Sequence, residues 1–327
     1  MKEYILITGV AGFIGHALAK VLLSKGMNVI GIDNMKANTI EIMTIKRIRL
    51  KECLNHKNFS FIKEDIKNIV KESLRFDGVI THIIHLAANA GIRDSFVNSN
   101  EYIENNIIGF NIIINIAKEL NVKHFIYASS SSIYGNCRNC NSDKEINEYA
   151  PKNIYAITKI ADELIAKIYS ENCNLKVTGL RFFSVYGPYG RPDMAPWIFA
   201  KSILNQLPIN VNNEGNVLRD FTYIDDIVAS IITIIEKGNK RNYTVYDIGS
   251  SCPYSLNELI EIIEDTYKID AIRVNTSQNL VEANYTIANM EYFNDDYPRF
   301  QFQNFESGVS EFCNWLKQYE QRLCYEK

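Results

Sequence analysis

Tyr155 and Lys159 stand four residues apart in Tyr155-Ala156-Ile157-Thr158-Lys159, a spacing that puts a phenol and an ammonium on one face of a helix. A tyrosine at its ordinary pKa near ~10 is a poor base at neutral pH. A lysine cation beside it stabilises the phenolate and draws it toward the working range. The serines Ser129-Ser130-Ser131-Ser132 lie upstream of this pair. At the start of the chain, Thr8-Gly9-Val10-Ala11-Gly12-Phe13-Ile14-Gly15 follows an apolar run. Glycines at this spacing permit a tight turn, close approach of the backbone to a pyrophosphate, and a helix whose N-terminal N–H groups face the phosphates. The position between a strand and a helix is the context that gives a glycine triplet its meaning. Asp33 ends the next apolar run, where a carboxylate binds both ribose hydroxyls of an adenosine. It would repel a 2′-phosphate, and the nearest following cation is Lys36, so NAD is expected rather than NADP. Asp65-Ile66, after a third strand, is placed to meet an adenine. In His85-Leu86-Ala87-Ala88 the small alanines leave room for a cofactor against a strand end, and His85 reads as structural.

These groups need a scaffold, and the chain offers one. Strands are expected at Tyr4–Ile7, Asn28–Asp33, Phe59–Lys63, Ile80–Leu86 and His124–Ala128, with helices at Phe13–Lys25, Ile40–Leu54, Glu101–Leu120 and Asn153–Asn172. The strands are continuously apolar rather than alternating, as in a parallel sheet covered on both faces. Strand–helix repetition predicts a doubly wound, Rossmann-type α/β fold. Past residue 180 glycines and prolines cluster at Gly187, Pro188, Gly190, Pro192 and Pro196. The expected division is an NAD-binding domain over 1–180, with 222–250 returning to it, and a smaller α/β substrate lobe from 181–221 and 251–327. The chain has 327 residues, 46% hydrophobic and 22% charged, with net charge −3, which excludes a disordered or disulfide-scaffold class. That balance carries no electrostatic footprint for nucleic acid, and no apolar stretch reaches the ~20 residues of a membrane span. Seven cysteines, including the lone pair Cys137 and Cys140, read as reduced loop and core thiols of a cytoplasmic protein without a metal site.

Taken together, the glycine loop, the serine cluster, Tyr155 and Lys159 resemble the extended short-chain dehydrogenase/reductases, the NAD-dependent nucleotide-sugar epimerase/dehydratase family, over residues 4 to about 237. The resemblance implies tightly held NAD, contacted by Gly9, Gly12, Phe13, Ile14, Gly15, Asp33, Asn34, Asp65, Ile66, Leu86, Ala87 and Ala88 as well as Tyr155 and Lys159. It implies Tyr155 as acid/base, Lys159 as its tuner and ribose ligand, Ser130 as the hydroxyl of the triad, and Arg219 as the grip on a diphosphate. Ser131 and Ser132 stand close enough for either to be the matching hydroxyl in place of Ser130, and all three are expected to meet substrate. Dehydratases of the family carry an acidic residue beside that hydroxyl; here the run is all serine, which favours simple C4 epimerisation. Arg181-Phe182-Phe183-Ser184-Val185-Tyr186-Gly187-Pro188-Tyr189-Gly190-Arg191-Pro192-Asp193-Met194, with Ala90-Gly91-Ile92-Arg93, resembles the UDP-glucuronate 4-epimerases of the family. There Ser184 and Arg191 would receive the C5 carboxylate of a UDP-sugar, and Arg93 would be a further substrate contact. The departures are Asp94 in place of a Tyr, Asn153 in place of a Ser, Gln278-Asn279-Leu280-Val281 without a Gly-Asp, and Ala288-Asn289 in place of Ala-Asp. The expected reaction is UDP-glucuronate to UDP-galacturonate for surface polysaccharide. Two alternatives are a C4 epimerase or oxidoreductase for another nucleotide sugar, and a catalytically silent NAD-binding partner, against which the intact triad argues. Family members pair helices equivalent to Glu101–Leu120 and Asn153–Asn172 into a four-helix bundle, so a homodimer is expected.

Overall fold

The computed structural model describes residues 1–92, 94–135, 149–277, 283–298 and 300–325. Arg93, the Cys137/Cys140 pair with its loop to Glu148, and Gln278–Val281 lie outside the described residues. The chain opens with β1 (Lys2–Thr8), α1 (Phe13–Ser24), β2 (Asn28–Ile32), α2 (Ile40–Leu54), β3 (Phe59–Ile62) and β4 (Gly78–His85). A helical run follows, a π-helical segment at Ile103–Ile108 leading into α3 (Gly109–Glu119), and then β5 (His124–Ser130). Next come α4 (Ile154–Cys173), β6 (Val177–Phe182), β7 (Ser184–Tyr186), α5 (Ala195–Leu204), β8 (Ile209–Asn212), β9 (Leu218–Tyr223), α6 (Ile224–Lys237) and β10 (Tyr243–Ile248). The chain continues through β11 (Pro253–Ser255), α7 (Leu256–Tyr267), β12 (Arg273–Thr276) and α8 (Phe305–Tyr325).

Seven strands form one sheet in the order β10-β6-β5-β4-β1-β2-β3, and every pairing in it is parallel. This is the Rossmann-like α/β fold expected from the apolar strands. Successive residues of a strand point to opposite faces, and each face has its own core. Ile5, Ile7, Ile84 and Ile126 join one buried cluster with α1 and α6; Leu6, Ile83 and Phe125 join the other with α3 and Ala166 of α4. The order reverses between β4 and β1, so a crevice opens beyond the carboxyl ends of these strands, where ligands bind in open α/β sheets. Within 222–250, expected to return to this domain, only Tyr243–Ile248 enters the sheet, beside β6. Ile224–Lys237 is a helix, and its buried Ile224, Ile227, Val228, Ile231 and Ile234 recur at helical spacing.

Two small sheets complete the molecule. β9 lies between β7 and β11, and β8 pairs in parallel with β12. The run expected as one helix over 101–120 contains a π-turn, and the turn has a purpose in the site. Gly109 follows it, and a Cβ there would lie 2.5 Å from Cδ1 of Ile66.

Candidate active site

Local backbone geometry builds the phosphate end first. Gly9 has φ +72°, and a Cβ on it would approach the Ala87 nitrogen to 2.8 Å; a Cβ on Gly15 would meet the Gly9 carbonyl at 2.3 Å. Only glycine lets α1 start this close to the ends of β1 and β4. The result is one cavity of 1450 Å³, lined at this end by Gly9, Gly12, Phe13, Ile14, Gly15, Leu86 and Ala88. At the tip of β2, Asp33 is 6% exposed and already engaged. Its Oδ2 accepts from the Ala11 amide at 3.1 Å, and its Oδ1 accepts from the Met35 amide and from Lys46 Nζ, both at 2.8 Å. The cation nearest Asp33 is therefore Lys46 from α2, not Lys36, which instead reaches Asp65 at 3.7 Å. Asn34 donates to Asp65 Oδ2 at 3.1 Å; Asp33, Asn34 and Asp65 are not in the cavity lining, which passes through the neighbouring Met35 and Lys36. Ile66 and Ala87 are not in its lining: Ile66 is a core residue, 7% exposed, and Ala87 packs against the same core.

The Tyr155–Lys159 pair rides on α4. Asn153 caps that helix, its Oδ1 accepting from the Ala156 amide at 2.8 Å; asparagine serves an N-cap as well as serine does. Tyr155 is half-buried on the cavity wall, with the ring of Tyr102 edge-on at 6.4 Å. Lys159 is 1% exposed, and its Nζ lies 3.1 Å from Oδ2 of the fully buried Asp162. Burial opposes the ammonium, but Asp162, Tyr155 and Glu163 outweigh it and raise the Lys159 pKa above its ordinary value. Burial raises the Asp162 carboxyl against the pull of Lys159, and Asp162 Oδ1 has no hydrogen-bond partner among the described residues. The π-turn braces this wall. Asn106 accepts from the Asn89 amide at 2.8 Å and donates to the Asn89 carbonyl and Thr158 Oγ1, both at 3.0 Å. It thus ties the loop after β4 to α4.

The serines divide by environment. Ser129 donates to Glu163 at 2.5 Å, and Ser130 Oγ accepts from the Ser132 amide at 3.2 Å. Ser132 Oγ is buried with no partner among the described residues. All of Ser129–Ser132 line the cavity. Beneath them Arg181 makes a two-pronged pair with Glu163, at 2.9 and 2.8 Å, and donates to the Tyr134 hydroxyl at 2.6 Å. Tyr134 in turn donates to Asp247 at 2.6 Å. A buried ion pair satisfied in this way fixes geometry more than it adds stability. It pins β5, β6, α4 and β10 around the serine turn.

At the far end Ser184, Arg191 and Arg219 also line the cavity. Arg191 donates to the Ala90 carbonyl at 3.0 Å and, through Nε and Nη2, to both oxygens of Asp193 at 3.0 and 2.5 Å. Asp94 lines the cavity and accepts from Asn38 Nδ2 at 3.3 Å. Ala288 and Asn289 do not line it; their amides donate to Asp220 and Asp247, so the departure there touches a structural staple. Lys46, Asp162 and Asp193 are site residues that the motif reading passed over.

Comparison with known proteins gives the family. The model of the NAD dependent epimerase/dehydratase family matches residues 5–249. Protein CapI of Staphylococcus aureus is 39% identical over 96% of this chain and 98% of its own. UDP-glucuronate 4-epimerase 4 of Arabidopsis thaliana is 34% identical over 96% of this chain and 75% of its own. Among solved structures, the UDP-glucuronic acid 4-epimerase of Bacillus cereus in complex with UDP-glucuronic acid and NAD superposes with a TM-score of 0.88 at 30% identity, covering 97% of this chain and 99% of that one. With its parallel sheet, glycine loop and Tyr155–Lys159 helix meeting at one cavity, the chain belongs to the NAD dependent epimerase/dehydratase family.

Proposed function

We propose that the protein epimerises C4 of UDP-glucuronate to give UDP-galacturonate. The observation that carries this reading is the single cavity joining the glycine loop, Tyr155 with Lys159, and Ser184 with Arg191. The residues fit NAD: the glycine cradle would be filled by any Cβ, and the Asp33 carboxylate stands at the tip of β2. Gly9, Gly12–Gly15, Asp33, Asn34, Asp65, Leu86 and Ala88 would hold the cofactor, which supplies a hydride acceptor and donor for C4 and is regenerated each cycle.

Tyr155, as phenolate, takes the C4 hydroxyl proton, with Lys159 stabilising the charge and Ser130 hydrogen-bonding the developing ketone. Ser131 and Ser132 border the same oxygen, and the unpartnered Ser132 hydroxyl gains a partner when sugar enters. Arg219 grips the diphosphate. The 4-keto uronate is a β-keto acid and loses carbon dioxide if its C5–C6 bond aligns with the ketone π system. Ser184 and Arg191 hold the carboxylate out of that alignment while the sugar presents its other face. A second reading, a neutral nucleotide sugar, draws on Asp193, which already occupies the Nε–Nη2 edge of Arg191.

The proposal extends to organisation. Residues 1–180 with 222–250 would form the cofactor domain, and 181–221 with 251–327 the sugar lobe. Exposed apolar side chains on the helices at 103–119 and 154–173, among them Ile103, Ile108, Ile157 and Ile168, support a homodimer through a four-helix bundle. Four described cysteines are free thiols, in keeping with a cytoplasmic enzyme that supplies an activated uronate for polysaccharide. No helix among the described residues is long and apolar enough to cross a membrane. The test is proton NMR of the protein with UDP-glucuronate and no added reductant. Growth of a galacturonate anomeric signal without pentose is expected. Pentose in its place would overturn the carboxylate clamp, and an unchanged spectrum would overturn the substrate.

A further inference from the structure

Arg49, on α2, is 3% exposed and carries no ion pair among the described residues. Its guanidinium is spent on backbone instead. Nε donates to the Tyr189 carbonyl at 3.1 Å, Nη2 to the Tyr189 and Gly190 carbonyls at 2.5 and 2.8 Å, and Nη1 to the Ala11 carbonyl at 3.3 Å. Ala11 belongs to the glycine loop, while Tyr189 and Gly190 immediately precede Arg191. The guanidinium also stands over the Phe13 ring, 5.9 Å from its centroid. One buried side chain thus spans the phosphate end and the carboxylate end of the cavity.

The segment it grips would not hold this shape unaided. Tyr189 has φ +61°, a left-handed conformation that costs a non-glycine residue about 1 kcal/mol or more. A second side chain of α2 secures the same loop. Glu52 accepts from the Tyr189 hydroxyl, from His16 at 3.0 Å and from Lys20 at 2.9 Å. The His16 hydrogen bond, then those of Tyr189 and Lys20, hold its pKa down at about 2. Burial and the neighbouring Arg191 cation lower the Arg49 pKa, though not far enough to discharge a guanidinium at neutral pH. The planar fork is what lets one residue serve three carbonyls; a lysine presents a single point charge.

We propose that Arg49 is a positioning residue that fixes Arg191 relative to the glycine loop and thereby sets the partition between epimerisation and decarboxylation. The partition rests on the uronate reading above; the positioning does not. When Arg191 is misplaced, the C5–C6 bond of the 4-keto uronate breaks and C6 leaves as carbon dioxide. The electron pair becomes the C4–C5 enolate, and a solvent proton at C5 yields the 4-keto pentose.

The test uses the full-length protein as purified, with Arg49→Lys and Arg49→Gln, of which either one that folds decides. Amide exchange of residues 187–194 is followed by mass spectrometry, and carbon dioxide is measured from UDP-glucuronate labelled at C6. The amides of Gly190 and Met194 bond within this loop, to the Gly187 and Arg191 carbonyls. Their exchange is expected to quicken by at least about tenfold, the effect of losing charge-assisted hydrogen bonds, while the strands of the main sheet stay protected. The carbon dioxide fraction is expected to rise with it. Unchanged exchange in 187–194 overturns the proposal whatever the substrate. Faster exchange with an unchanged carbon dioxide fraction overturns the partition. Faster exchange in a protein whose wild type ignores UDP-glucuronate upholds the positioning and overturns the uronate reading instead.

Discussion

Lys159 stands between two acids of different kinds: the Tyr155 phenol on the cavity wall and the Asp162 carboxyl behind it, 3.1 Å from its Nζ. The carboxyl behind it fixes the ammonium in place at the cavity wall. Tyr155→Phe removes the exchangeable proton and keeps the ring. Turnover is expected to fall by about 10²–10⁴-fold, the usual weight of a general acid–base. The NAD content of the purified variant, read by extraction and chromatography, is expected to be unchanged. Activity within a few-fold of wild type would remove Tyr155 from the chemistry. Asp162 was legible in principle, because it lies three residues after Lys159, where side chains on a helix meet. Its importance comes from burial, which no local pattern announces.

Among the elements, α4 shows how a departure in sequence preserves a structural job. Asn153 stands where relatives were expected to carry serine, yet it accepts the Ala156 amide as an N-cap. Asn153→Ser is expected to change stability by only a few tenths of a kcal/mol, and Asn153→Ala to cost about 1 kcal/mol. Urea midpoints would show this, and equal midpoints for the two variants would refute the capping role. The contrast with α2 explains what the sequence concealed. The glycine loop and the Tyr155–Lys159 pair are local constellations, so short spacings revealed them. Lys46 and Arg49 sit in a helix whose charges belong to no motif; only the fold turns them inward, toward Asp33 and toward Tyr189 and Gly190. The π-turn at 103–108 was hidden for a like reason. An apolar periodicity long enough for one helix does not record a turn widened at Asn105 and Asn106, both of which bond Asn89.

For the molecule as a whole, buried ionisable groups pull stability in opposite directions. Burial lowers His85 and His124 to pKa values of about 3 from an ordinary 6.5. Below pH 6.5 the unfolded chain therefore binds protons that the folded one refuses, and stability is lost as pH falls toward 3. Burial raises Asp247 and Asp226 to about 7 and about 6 from 3.8. Their contribution is complete below pH 3.8 and is lost as pH rises through those values. The two sets largely offset one another between pH 4 and 6. Removing one histidine exposes the balance: for His124→Gln, wild-type stability minus variant stability is expected to shrink by up to about 1.4 kcal/mol per pH unit as pH falls from 6.5 to 3. A difference constant over that range, measured by urea unfolding, would show that His124 titrates alike in both states.

The cavity that runs from Gly9 to Arg219 has no wall between its two ends, and that continuity has a thermodynamic consequence. Two ligands that share one lining are coupled wherever one orders a side chain the other needs, and Arg49 touches loops at both ends. Whatever factor a bound dinucleotide adds to the affinity for the sugar nucleotide, the sugar nucleotide must add to the affinity for the dinucleotide. Retention of the cofactor is then partly conferred by the substrate. An enzyme of this shape would guard its redox partner best when there is sugar to convert, and most readily exchange it with the surrounding pool when there is none.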